Sequence, residues 1–150
     1  MELVHEFTYT AELAPSVPVG PGPFGTRRVR EVIGGTVTGD RINGRVGSGG
    51  GDWVLVGPDG WGRLDVRLQI ATDDGAYLYV QYFGVIEYNE AALAANAGER
   101  SSDWGDHYFR TAPRIETGDP RYDWVNRTVF VGEGRLHPGP VAEYRVSRVA

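Results

Sequence analysis

Asp52, Asp65 and Arg67 fall within one stretch, GGGDWVLVGPDGWGRLDVRLQIATDDG from Gly49 to Gly75. Their types suit acid–base chemistry, with carboxylates to carry a proton and a guanidinium to steady a developing oxyanion. Asp65 and Arg67 are two apart in a strand-like run and so share a face, about 6–7 Å from each other. Two arrangements follow. If Leu64, Val66, Leu68 and Ile70 fill the interior, Asp65 and Arg67 form an exposed pair worth roughly 0–1 kcal/mol. If a loop or partner covers the apolar face, Asp65, Arg67 and Gln69 line a polar pocket. The residues themselves leave both open. Asp52 follows three glycines and precedes Trp53, where a flexible loop enters a strand. That is a place for a catalytic carboxylate or for a loop-closing hydrogen bond.

Other side chains could shape a substrate. Arg27, after a Pro/Gly-rich loop, suits a carboxylate or phenolate, or is one of a solvated pair with Arg28. Trp124, Asn126, Thr128 and Phe130 alternate as an aromatic floor with a hydrogen-bonding handle would, or as a core tryptophan with Asn126 tying a bulge. Tyr77 and Tyr79 have the opposite parity to Tyr82, and any one of them could donate a proton to an enolate.

Several chemistries are excluded or disfavoured. All 15 basic residues are arginine and there is no cysteine, so neither a lysine Schiff base nor a thiolate is available. His5, His107 and His137 lack metal-ligand spacing, and Asp73-Asp74-Gly75 reads as a turn. No metal or cofactor is expected. The GPGPFG stretch lacks the strand-to-helix context of a phosphate loop. A net charge of -5 opposes nucleic-acid binding. No run approaches a membrane span and the N-terminus lacks a signal-peptide pattern, so a cytoplasmic protein is expected.

The elements that must position these residues are mostly strands. The chain of 150 residues reads as one domain, 1–150, with 22 glycines spaced as in a protein of many short strands. Strands are expected over 2–13, over 26–38 with a bend at Gly34-Gly35, and over 41–46, 53–56, 63–71, 76–88, 107–116, 122–132 and 141–149. Prolines at 15, 18, 21 and 23 predict an unpaired loop, and Pro113 a break or bulge. Asn89 to Gly98 reads as the single short helix. Eight to ten strands with short connections predict an all-β, up-and-down antiparallel barrel, lipocalin-like.

Several motifs occur together in order: GPGPFGTRR at 20–28, GGGDW at 49–53, LDVR at 64–67, TDDGAYLYV at 72–80, YFRTAPRIETGDPRYDWVN at 108–126, FVGEGR at 130–135 and the closing VAEYRVSRV. With this set the chain resembles the domain of unknown function 3237 family across nearly its whole length. The resemblance implies an up-and-down barrel with an enclosed pocket and a homo-oligomer. It also implies, from relatives in natural-product pathways, an isomerase or cyclase of aromatic or polyketide-like molecules. The positions most like a family signature are Arg27, Asp52, Trp53, Asp65, Arg67, Trp124 and Asn126.

Together these readings predict a cofactor-free isomerase or cyclase for a hydrophobic small molecule. Asp52 or Asp65 would move the proton and Arg67 or Arg27 would stabilise the oxyanion. Trp53, Trp124 and Phe130 would shape the substrate, and Tyr79 and Tyr82, on opposite faces of their strand, are further candidate contacts. The alternative is a barrel that binds a small molecule without turnover.

Overall fold

Every second residue is buried along the longest strands, which is what lets one face of a sheet close around a core. The computed structural model describes residues 1–150. Its strands are β1 (Leu3–Leu13), β2 (Val17–Gly22), β3 (Gly25–Gly34), β4 (Thr36–Gly39), β5 (Gly44–Val46), β6 (Gly50–Val56), β7 (Trp61–Thr72), β8 (Tyr77–Glu87), β9 (Phe109–Glu116), β10 (Phe130–His137) and β11 (Val141–Val149). Helix α1 (Glu90–Asn96) follows β8, and a 3-10 helix (Pro120–Arg127) follows β9.

β3 and β4 are one strand bent at Gly35, and β5 and β6 are another, interrupted at 47–49. Counted this way, and with β2 set aside as an edge strand paired only to β3, eight antiparallel staves follow in chain order, and β11 pairs back onto β1 to close the ring. The bend needs glycine. Gly35 has φ +148°, and a Cβ there would lie 1.8 Å from the Thr10 carbonyl oxygen.

Leu64, Val66, Leu68 and Ile70 on β7 point inward, meeting Leu78, Val80, Tyr82 and Ile86 from β8. Each such side chain contributes about 2 kcal/mol by leaving water. One end of the barrel is closed by the 3-10 helix, whose Tyr122 and Val125 are buried and whose Trp124 lies 6.0 Å from the Phe130 ring. Nearby, buried Glu6 is bonded by Arg41 and Arg148, and the Arg41 guanidinium stacks 3.6 Å from the Trp124 ring. The opposite end, called the mouth below, carries the segment 97–108, the β2–β3 hairpin and α1, whose Ala92 and Ala95 are buried in the core. No helix is long and apolar enough to cross a membrane.

Three local expectations are corrected. Residues 17–22 form a strand despite their prolines, because β2 is the outer edge of the sheet and pairs only with β3. β9 runs unbroken through Pro113, which pairs with Tyr82, since its β10 ladder covers only Thr111 and Arg110 and asks no donor of the proline. Residues 120–127 are helical instead of extended. Asp119 caps this turn by accepting from the Arg121 amide, and Pro120 sits at its start, where no donor is needed.

Candidate functional site

The β6–β7 ladder opens where it matters chemically. Gly51 pairs with Arg67 and Asp52 with Val66, and pairing resumes at Leu55 with Arg63. The residue count between is equal on both strands, so Trp53 and Val54 leave the ladder without a change of register. Side chains satisfy what is freed. The Asp65 amide donates to the Asp52 carboxylate at 3.3 Å, and Arg27 donates to the Trp53 carbonyl at 2.7 Å. Gly51 leaves room for the Trp53 indole to fold back, one ring carbon lying 3.1 Å from where a Cβ would be.

Parity turns Asp52 inward with Val54. Across β3 the partners are Arg30 opposite Asp52 and Arg28 opposite Val54. Tyr88, just past β8, completes this layer, with the Arg28 guanidinium 5.6 Å from its ring. Beneath lie buried Tyr9 and Tyr144, stacked at 4.9 Å, with Tyr82 edge-on to Tyr144 at 5.6 Å and Phe109 at 5.2 Å.

Burial pushes the Asp52 carboxyl up to about 7, against the pull of the Asp65 amide and the Arg30 charge. Burial likewise lowers Arg30 and raises Tyr88, which Arg28 partly offsets. Tyr9, Tyr82 and Tyr144 are raised by burial and stay neutral hydroxyls. The layer can therefore give and take a proton near neutral pH beside two cations.

The other sequence candidates are distributed elsewhere. Asp65 and Arg67 face outward, 3.5 Å apart with 35% and 46% of their side chains exposed, as the apolar filling of the barrel requires. Trp53 is also on the outer wall, its ring 5.9 Å from the Arg67 guanidinium. Arg27 braces β6 from the same side. Tyr79 faces out while Tyr82 is 2% exposed. Phe130 is in the core, and Asn126 on the 3-10 helix accepts from the Thr117 amide and donates to its carbonyl.

Arg67 and Asn126 instead line two adjoining cavities on the outer wall, with Tyr79 in both. A cavity of about 500 Å³ runs between Gln69, Tyr77, Tyr79, Glu116 and Asn126, and one of about 180 Å³ adjoins it at Ser48, Arg67 and Tyr79. The interior beneath Asp52 is filled by the buried rings of Tyr9, Tyr82 and Tyr144, and the outer-wall cavities are not lined by Asp52.

Sequence reasoning missed Arg28, Arg30, Tyr88, Tyr9 and Tyr144. A signal existed for the arginines, since both share parity with apolar Val32. His107 serves structure: its Nε2 lies 2.9 Å from Ser102 Oγ, which accepts the Leu136 amide, and burial lowers its proton affinity. No group of three His, Cys, Asp or Glu comes together to hold a metal.

A UPF0311 protein of Rhodopseudomonas palustris is 34% identical over 137 residues, covering 91% of this chain and 90% of the relative. The crystal structure of a conserved protein of unknown function from that organism superposes with a TM-score of 0.89 at 33% identity, over 99% of this chain and 97% of the other. A "beta-barrel like protein" of Acinetobacter baumannii gives 0.84 at 30% identity, over 99% and 96%. Two fungal proteins are more distant. A crystal structure described as an enzyme from Penicillium herquei shares the fold at a TM-score of 0.65 and 20% identity, over 97% and 96%. PR-toxin biosynthesis cluster protein 7 of Penicillium roqueforti is 27% identical over 92 residues, 59% of this chain and 50% of the relative. The family model described as Protein of unknown function (DUF3237) matches residues 1–149, and this chain belongs to that family.

Proposed function

We propose that the barrel mouth carries out cofactor-free acid–base chemistry, an isomerisation or ring closure of a hydrophobic, aromatic or polyketide-like small molecule. One observation carries this reading. Asp52 is turned into the barrel, holds a proton to about pH 7 and lies opposite Arg30 and beside Arg28. A carboxyl with that proton affinity serves as acid or base near neutrality, and the guanidiniums oppose the negative charge that forms on an enolate or phenolate oxygen. Trp53 and Arg27 act indirectly, by holding open the ladder that frees the Asp65 amide for Asp52. The description of the Penicillium herquei protein as an enzyme, and the name of the Penicillium roqueforti protein, are consistent with biosynthetic chemistry on this fold.

A second reading, binding without turnover, is favoured by the outer-wall cavity of about 500 Å³ at Gln69, Tyr79 and Asn126, which lies apart from Asp52. The two separate on a panel of phenolic enones, a hydroxychalcone as the simplest ring-closing probe, followed by loss of enone absorbance. Turnover by the wild-type protein should be lost in Asp52→Asn and kept in Arg67→Ala, whose side chain is on the outer wall. Equal turnover in Asp52→Asn overturns the assignment, and saturable binding without product across the panel selects the second reading.

A further inference from the structure

We propose that the mouth binds an organic anion, an aromatic carboxylate or phenolate held by Arg28 and Arg30, and that Asp52 takes up a proton as the anion binds. This rests on the reading of the mouth as the site but not on turnover there.

The argument begins with where the arginines find partners. Ten of the 15 form ion pairs with carboxylates, and Arg27 has the Trp53 carbonyl. Arg45 and Arg100 have no partner but are exposed to water. Arg28 and Arg30 are the exceptions, partly buried, facing the mouth and without an ion pair. The Nε of Arg28 is buried with no hydrogen-bond partner at all. Leaving a desolvated guanidinium donor unmet is costly, and a ligand oxygen placed between the two arginines removes that cost. Asp52, opposite Arg30, does not fill the role, since its one hydrogen bond is to the Asp65 amide.

An adjacent ring selects the body of the ligand. Tyr88 beside Arg28 is the ring against which an aromatic group attached to the anion would pack.

Proton uptake follows from charge. The groups acting on Asp52 are Arg28 and Arg30 from β3 and Asp65 from β7, and it in turn acts on Tyr88 and on Tyr9 and Tyr144 from β1 and β11. A second anion among them competes for the two cations and repels an ionised Asp52, so the complex favours its protonated form. Below about pH 7 the carboxyl already carries its proton and affinity is flat; above it, affinity falls towards tenfold per pH unit.

Calorimetric titration with cinnamate and its uncharged amide tests this. Cinnamate should bind at least about tenfold more tightly than the amide. Binding above pH 7 should take up a proton, seen as a heat that depends on the buffer's ionisation enthalpy. Arg28→Gln and Arg30→Gln should each weaken cinnamate about tenfold and leave the amide unchanged. Asp52→Asn should still bind cinnamate, with the pH dependence gone. The wild-type titrations decide the matter even where an arginine variant fails to fold. Equal affinities for acid and amide, no saturable binding of cinnamate, or binding without proton uptake each overturn the proposal. Turnover lost in Asp52→Asn alongside such a result would leave the acid–base reading standing and remove only the anion.

Discussion

Ionising Asp52 works against the fold. Its carboxyl is pushed up to about 7 by burial, so the native state holds the proton more tightly than the unfolded chain does. The sign follows from that. The stability associated with this group is fully present below the unfolded carboxyl range and is lost as pH rises to about 7. Asp52→Asn removes the penalty and can still accept from the Asp65 amide. Its unfolding free energy in urea should exceed wild type by ~2 kcal/mol above neutrality, partial exposure reducing the full conversion of the shift. The gain should vanish in acid. Equal stabilities at both ends of the range would mean that the carboxyl titrates normally. The same residue therefore exchanges stability for reactivity, as sites with displaced proton affinities commonly do.

At the scale of elements, bends and openings in the strands place this chemistry. Gly35 brings β3 over β1 and then releases the chain to β4, which lets Arg28 and Arg30 reach the mouth while Val37 stays in the core. Gly35→Ala puts a methyl group within 1.8 Å of the Thr10 carbonyl oxygen and demands φ +148° of an alanine. We expect a loss of at least ~3 kcal/mol in urea unfolding, or insoluble protein. Gly49→Ala, also at positive φ but with nothing within 4 Å, should cost less, ~1 kcal/mol. Comparable losses in the two would locate the cost in backbone conformation alone. The 3-10 helix illustrates a related point. Its alternating Trp124, Asn126 and Thr128 read as a strand, yet Asp119-Pro120 is a helix-start signal that outweighs a pattern only a few residues long.

For the molecule as a whole, closure depends on the chain's two ends meeting. β1 pairs with β11 from Leu3–Val149 to Glu12–Val141, and Glu6, at the bulge in β1, ties Arg148 of β11 and Arg41 of the β4–β5 connection into one network. Glu6 is 5% exposed, while Arg41 and Arg148 are 47% and 35% exposed, so a lost carboxylate leaves cations that water can partly reach. Glu6→Ala should therefore cost about 2 kcal/mol, short of the loss for a wholly buried pair, with the mouth unaffected. Thermal unfolding of that variant, together with an unchanged Asp52 titration by carboxyl NMR, would check both halves. A shifted Asp52 titration would show that the two ends of the barrel communicate.

The barrel was legible in the sequence because alternation of period two is a local property. Leu64, Val66, Leu68 and Ile70 declare one strand's core face without reference to any other. Turn chemistry at Gly57-Pro58-Asp59-Gly60 and Asp73-Asp74-Gly75, and the Gly34-Gly35 bend, were legible for the same reason. Asp52 could be singled out from its place after three glycines. What only the tertiary structure decided was which charged residues share a space. Asp65 and Arg67 are neighbours in sequence, but closing the sheet around Leu64 sends them to the outer wall. Arg28 and Arg30 lie more than twenty residues from Asp52, and only the antiparallel register of β3 on β6 brings them opposite it. The proton affinity of Asp52 has the same origin, because it arises from burial inside a closed sheet that no local pattern couples to it.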